Sequence, residues 1–118
     1  MPKLVLVVDD SPLARTALGH ALREAGLAVS AHASAEEAAR ADLGPVEAAV
    51  LDIELTDGFG AELAERLRKT APRLPVAFLT GGGSPRQLDA ARAFGPVFSK
   101  LDGLDEAVAW ATSATSAA

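Results

Sequence analysis

The sequence predicts a doubly wound α/β domain, a five-stranded parallel sheet with helices on both faces. Two observations carry that expectation. Four short apolar runs, Leu4–Val8, Ala48–Leu51, Val76–Leu79 and Val97–Ser99, are bounded by turn residues and are too short for helices. That is the pattern of strands buried on both faces. Between the strands lie segments with apolar residues at helical spacing, so strand and helix alternate five times without a linker or an internal repeat. Such alternation implies a parallel sheet with right-handed crossovers. A third observation concerns chemistry. The four runs end in Asp9 and Asp10, in Asp52, in Thr80 and in Lys100. Ligands of open parallel sheets bind at the carboxyl ends of the strands.

In chain order, Lys3 to Val8 is the first strand. Ser11-Pro12 opens a helix, Ser as the cap and Pro in the first turn. Ala14, Ala17, Leu18, Ala21, Leu22 and Ala25 form its apolar stripe, and Gly26 ends it. His20, within this helix, reads as an ordinary surface residue. Leu27 to His32 alternates and is less hydrophobic, as an edge strand would be. Ser34 and Glu37 form a capping box for a short second helix ending near Asp42, before Gly44-Pro45. Val46 to Leu51 is the central strand, with Asp52 at its carboxyl end. Thr56-Asp57-Gly58-Phe59-Gly60 is a turn that feeds a third helix, from about Ala61 to Lys69. Leu63, Ala64 and Leu67 are its inward stripe, and Glu62, Glu65, Arg66, Arg68 and Lys69 are expected to face water. After Pro72 and Pro75 comes the fourth strand. Gly81-Gly82-Gly83 follows Thr80 and is expected to be mobile. Ser84-Pro85 opens a fourth helix running to about Phe94. Gly95-Pro96 leads to the last strand, and a fifth helix from about Gly103 to Thr112 turns Leu104, Ala107, Val108 and Ala111 inward. Residues 113–118 are small and polar and are expected to fray.

The chain of 118 residues has the length of one domain, here 1–118, and its 49% hydrophobic content marks it as globular. The net charge of −5 argues against direct contact with nucleic acid, which needs clustered Lys and Arg. Cysteine is absent and the two histidines, His20 and His32, stand apart, so thiolate and zinc sites are excluded. No apolar run approaches about 18 residues and no leader opens the chain, so no membrane insertion is expected and a cytoplasmic location follows.

Asp9, Asp10 and Asp52 would meet at one end of the sheet, where they repel one another unless a cation lies between them. Oxygen-only ligands suit Mg2+, and Mg2+ held by carboxylates commonly also binds phosphate. Lys100 supplies a positive charge for a phosphoryl oxygen and Thr80 a hydroxyl. A carboxylate can take up a phosphoryl group to give an aspartyl phosphate, with metal and amine stabilising the transferred charge. Each residue alone has an ordinary reading: a helix cap for the acids, a solvated lysine, a threonine bonded to its own loop. Their joint arrival at strand ends is what favours chemistry.

With these residues the chain resembles the receiver domain of two-component response regulators, the fold of the chemotaxis receiver protein. The resemblance covers nearly the whole chain and rests on Asp9-Asp10, Asp52, Asp57-Gly58 through Gly60, Thr80 and Lys100. It implies a flavodoxin-like sheet with strand order 2-1-3-4-5 and five helices. It further implies Asp52 as phosphoacceptor and Asp10 as a direct Mg2+ ligand, with Asp9 acting mainly through metal-bound water. Glu54 would offer its backbone carbonyl to the metal. The phosphoryl group would come from a histidine kinase or phosphotransfer protein, and a downstream protein partner would read the result. No enzyme activity is implied beyond the domain's own phosphorylation and dephosphorylation.

Four departures from the family pattern touch the output side. Thr56 stands where proline is common. Leu101 follows Lys100 where proline is usual, and a cis bond there would cost about 3 kcal/mol for a non-proline residue. The loop before the last strand is shorter. Val97 occupies the place of a switching aromatic ring, and the adjacent Phe98 should point to the opposite face. Two other functions compete. A Mg2+-dependent phosphatase or nucleotide-binding protein lacks support, since no GxGxxG follows the first strand and no GK[ST] follows Gly83. A phosphorylation-independent receiver-like interaction domain, with the acids as relics, is the alternative.

Overall fold

The computed structural model describes residues 2–116. Five parallel strands, β1 (Leu4–Val8), β2 (Ala28–His32), β3 (Val46–Asp52), β4 (Val76–Thr80) and β5 (Val97–Ser99), form one sheet in the order β2-β1-β3-β4-β5. Helices α1 (Pro12–Glu24), α2 (Ala35–Ala39), α3 (Gly60–Thr70), α4 (Pro85–Arg92) and α5 (Leu104–Ser116) connect and cover them. The expected fold, with its strand order, is the observed one.

Alternation along the strands sorts the core into two layers. Leu6, Val8, Ala49, Leu51, Val76 and Phe78 face one side, where they pack with Leu63, Ala64 and Leu67 of α3 and with Ala91 of α4. Val5, Val7, Val50 and Leu79 face the other, against Leu18 and Leu22 of α1 and Ala107 and Ala111 of α5. Strands β1, β3 and β4 each have two strand neighbours and two covered faces, so almost all their residues are buried; β2, on the edge, stays half-exposed. Val97 joins the first layer and Phe98 the second, so the two do point to opposite faces. Trp110 is half-buried against the second layer, as a packing residue.

Serine caps act as expected. The Ser11, Ser34 and Ser84 hydroxyls accept the amides of Ala14, Glu37 and Gln87 at 3.3, 3.1 and 3.3 Å, closing the first turns of α1, α2 and α4. Several elements differ from expectation at their margins. Helix α2 ends at Ala39 and α4 at Arg92, each earlier than expected. Helix α5 continues through Ser113 to Ser116, where fraying was expected; residues 117–118 lie outside the described residues. The small polar residues satisfy themselves within the helix. Thr112, Thr115 and Ser116 donate to the carbonyls of Val108, Ala111 and Thr112 at 2.9, 2.9 and 2.6 Å, and Thr115 is buried.

Two findings have no counterpart in the sequence reading. The segment after Asp52 is a small antiparallel hairpin, Glu54–Leu55 against Gly58–Phe59, and α3 starts directly from it at Gly60. Arg68, expected in water, is half-buried: its Nε and Nη2 donate to the carbonyls of Leu74 and Phe94 at 3.2 and 2.9 Å, and its guanidinium lies 5.4 Å from the centre of the Phe94 ring. It fastens α3 to the loop before β4 and to the end of α4. The bond before Leu101 is trans, there being no cis peptide among the described residues.

Candidate functional site

Register brings the polar strand ends to one level. Val8 pairs with Leu51, Asp52 with Leu79 and Thr80 with Ser99, so the residues just beyond them emerge side by side at the carboxyl edge. Asp9 and Asp52 are only 3% and 6% exposed, while Asp10 is half-buried. Carboxylate oxygens of all three lie within 4.8 Å of one another.

Lys100 is the counter-charge. Its ammonium lies 2.9 Å from an oxygen of Asp9 and 2.9 Å from Asp52 Oδ2. The remaining bonds orient the acids. Asp52 Oδ1 accepts the amide of Glu54 at 3.3 Å, and Asp9 Oδ1 accepts the amide of Ser11 at 2.9 Å. Arg15 Nη1 donates to the Asp9 carbonyl at 2.7 Å, fixing the backbone beneath the pair. Asp10 makes no hydrogen bond or ion pair among the described residues, which leaves its carboxylate free to bind a ligand.

Burial pushes Asp52 up from 3.8 to about 6; the Lys100 hydrogen bond opposes that shift and the Asp9 charge adds to it. Burial also works to lower Lys100, but its bonds to Asp52 and Asp9 outweigh it and hold the ammonium above the usual lysine range. The donor set fits Mg2+: hard carboxylate oxygens only, converging from two strand ends. Asp10→Ala is expected to weaken Mg2+ binding more than Asp9→Ala, since Asp9 is already taken up by Lys100 and Ser11 whereas Asp10 is not. Calorimetric titration compares them, and equal losses would remove the distinction.

Thr80 stands at the same edge but does not reach toward Asp52. Its hydroxyl bonds within its own loop, accepting the Gly82 amide at 3.0 Å and donating to the Gly82 carbonyl. Gly82 and Gly83 have φ of +155° and +125°, a backbone region that favours glycine, and Gly81 through Arg86 are exposed. Glu54 is exposed and leads the hairpin.

Asp57, read from sequence as part of a turn and of the family motif, does more. Its Oδ1 and Oδ2 accept the amides of Ala35 and Glu36, each at 3.0 Å, so it caps α2 from across the molecule. Those two bonds hold its carboxyl below the usual aspartate range. Asp is a good cap type, but nothing in the sequence says which helix it will cap. A groove of about 1220 Å3 at the other end of the sheet, lined by Leu43, Leu67 and Leu74 among others, contains none of Asp9, Asp10 and Asp52.

The family model described as response regulator receiver domain matches residues 5–97. The photosynthetic apparatus regulatory protein RegA of Rhodovulum sulfidophilum is 36% identical over 84 residues, covering 70% of this chain and 45% of RegA. The acid tolerance regulatory protein ActR of Rhizobium meliloti is 35% identical over 83 residues, covering 70% of this chain and 43% of ActR. The chain therefore spans less than half the length of these relatives. Among solved structures, response regulator TrrA of Thermotoga maritima, in complex with Mg2+ and BeF, is similar with a TM-score of 0.83 at 28% identity, covering 95% of this chain and 98% of TrrA. Chemotaxis protein CheY4 of Vibrio cholerae shares the fold, with a TM-score of 0.84 at 23% identity over 97% of this chain and 99% of its own. The family match runs through Asp9, Asp10, Asp52 and Thr80 of the shared edge, and the chain belongs to the response regulator receiver domain family.

Proposed function

We propose that this domain is a cytoplasmic phosphoacceptor module that takes a phosphoryl group onto Asp52 from a histidine kinase or phosphotransfer protein, in a Mg2+-dependent reaction. The observation that carries it is the buried Asp52 carboxylate at the end of the central strand, with Lys100 at 2.9 Å and the oxygens of Asp9 and Asp10 within 4.8 Å. An Asp52 oxygen attacks the phosphorus; the new P–O bond forms as the bond to the donor's imidazole nitrogen breaks, and the imidazole keeps that electron pair. Lys100 is within reach to neutralise a phosphoryl oxygen. Asp10, Asp52 and the Glu54 carbonyl would hold Mg2+, with Asp9 acting through water, and the ion would offset charge on the phosphoryl oxygens.

Intact mass after treatment with acetyl phosphate and Mg2+ tests the reading. Wild type should gain one phosphoryl group, Asp52→Asn none, and excess EDTA should suppress uptake, because roughly −1.5 to −2 charges enter an acidic pocket. Undiminished uptake by Asp52→Asn would reassign the acceptor. No uptake by wild type would favour the phosphorylation-independent interaction domain.

The response should lie in the loop Gly81 to Ser84 and the start of α4. A phosphoryl oxygen is a stronger acceptor than the Gly82 carbonyl that Thr80 now uses, and Val97 carries no ring to relay the change along β5. Thr80→Ala should still be phosphorylated yet show smaller beryllofluoride-induced amide shifts in that loop. Shifts centred on Val97 and α5, with the glycines silent, would contradict this route.

A further inference from the structure

We propose that Asp57 is a positioning residue for the acid pocket: by tying the hairpin after Asp52 to the first turn of α2, it fixes Glu54 and, through it, the Asp52 carboxylate. The proposal rests on the reading of these acids as a Mg2+-binding phosphoryl site.

Helix α2 already has a cap of its own, since Ser34 accepts the Glu37 amide. Asp57 adds bonds from the two amides that Ser34 leaves open, and it does so from 22 and 21 residues away, with both carboxylate oxygens engaged. A helix of five residues cannot hold itself together in water, so α2 leans on the hairpin that carries Asp57. Leu55, also on the hairpin, is buried in the same layer as Ala35 and Ala38. The ends of the loop are anchored elsewhere. The Glu54 amide donates to Asp52 Oδ1 at 3.3 Å, the Phe59 amide to Glu62 Oε1 at 3.2 Å, and the Gly60 amide to the Ile53 carbonyl at 2.8 Å. Among the described residues, the burial of Leu55 and the two Asp57 bonds hold its middle to the body of the domain. Glu54 pairs with Phe59 across the hairpin, so a shift of the turn at Asp57 is carried to Glu54 and to the amide that orients Asp52. Groups bonded directly to a metal ligand typically change metal affinity by roughly 10–100-fold; Asp57 acts through the Glu54 amide, so the lower end, about tenfold, is expected.

The test compares two ways of weakening the same helix. Asp57→Ala and Ser34→Ala each remove a cap from α2, but only the first releases the hairpin. Calorimetric titration with Mg2+ should show affinity falling about tenfold in Asp57→Ala and unchanged in Ser34→Ala. Amide hydrogen exchange should quicken at Ala35 and Glu36 in the first and at Glu37 in the second. Wild-type Mg2+ affinity in Asp57→Ala, with exchange at Ala35 and Glu36 accelerated, would overturn the proposal and leave Asp57 a helix cap. If Asp57→Ala does not fold, Asp57→Asn, which keeps one acceptor oxygen, should show a smaller loss of affinity; no loss, with faster exchange, overturns it equally. Wild type that binds Mg2+ but takes no phosphoryl group from acetyl phosphate would sink the phosphoacceptor reading and leave this comparison standing. Wild type that binds no Mg2+ overturns both.

Discussion

Gly60→Ala is expected to destabilise the domain by about 3 kcal/mol, the upper range for forcing atoms into a packed interior. A methyl group at Gly60 would overlap the Asp52 carbonyl oxygen and come within 3.2 Å of the Ile53 Cα. Both are backbone atoms and cannot rotate aside, and the Gly60 amide is itself bonded to the Ile53 carbonyl. The strain would therefore fall on the strand end that carries Asp52. Gly95→Ala provides the comparison: there the methyl would overlap the Val76 carbonyl oxygen, at the far end of β4 from the acids. Urea unfolding should show large losses for both, whereas only Gly60→Ala should also slow acetyl phosphate labelling per folded molecule. A Gly60→Ala protein within about 0.5 kcal/mol of wild type, the range of a neutral surface change, would refute the close approach.

In metal-free buffer, Asp52→Asn should be more stable than wild type at pH 7, by about 1–2 kcal/mol, and equal to it near pH 4. Burial raises the Asp52 carboxyl from 3.8 to about 6, against the pull of Lys100. Between those two values the folded chain holds a proton that the unfolded chain has released. Wild-type stability therefore rises as pH falls through that window, and the penalty is complete above it. A shift of this size corresponds to about 3 kcal/mol. That net shift already includes the opposing Lys100 pair, and the amide variant recovers only part of it because its own NH2 group must find a partner in the buried site. Lys100 itself keeps its charge across the window, its ammonium being held above the usual lysine range. Mg2+ should stabilise wild type more than the variant and narrow the gap. Urea unfolding in EDTA at the two pH values measures both terms, and an Asp52→Asn protein less stable than wild type at pH 7 would show that the Lys100 pair outweighs the burial.

The sequence by itself determined the strands, their order of appearance, the three serine caps and the identity of the residues at the carboxyl edge. These features are local: a strand buried on both faces shows as a short apolar run, and a cap acts within three residues of itself. It also marked Val97 and Phe98 as facing opposite ways, since side chains alternate along a strand. The tertiary structure decided what depends on register and on contacts between distant segments. That Lys100 reaches both Asp9 and Asp52 at 2.9 Å follows from three strands ending level. That Thr80 turns to Gly82 depends on the path of its loop. Arg68 leaves water because the Leu74 and Phe94 carbonyls converge on it. Asp57 reads alone as one more turn residue; it becomes a second cap of α2 only because folding brings the hairpin against that helix, whose Ala35 and Glu36 amides Ser34 leaves open.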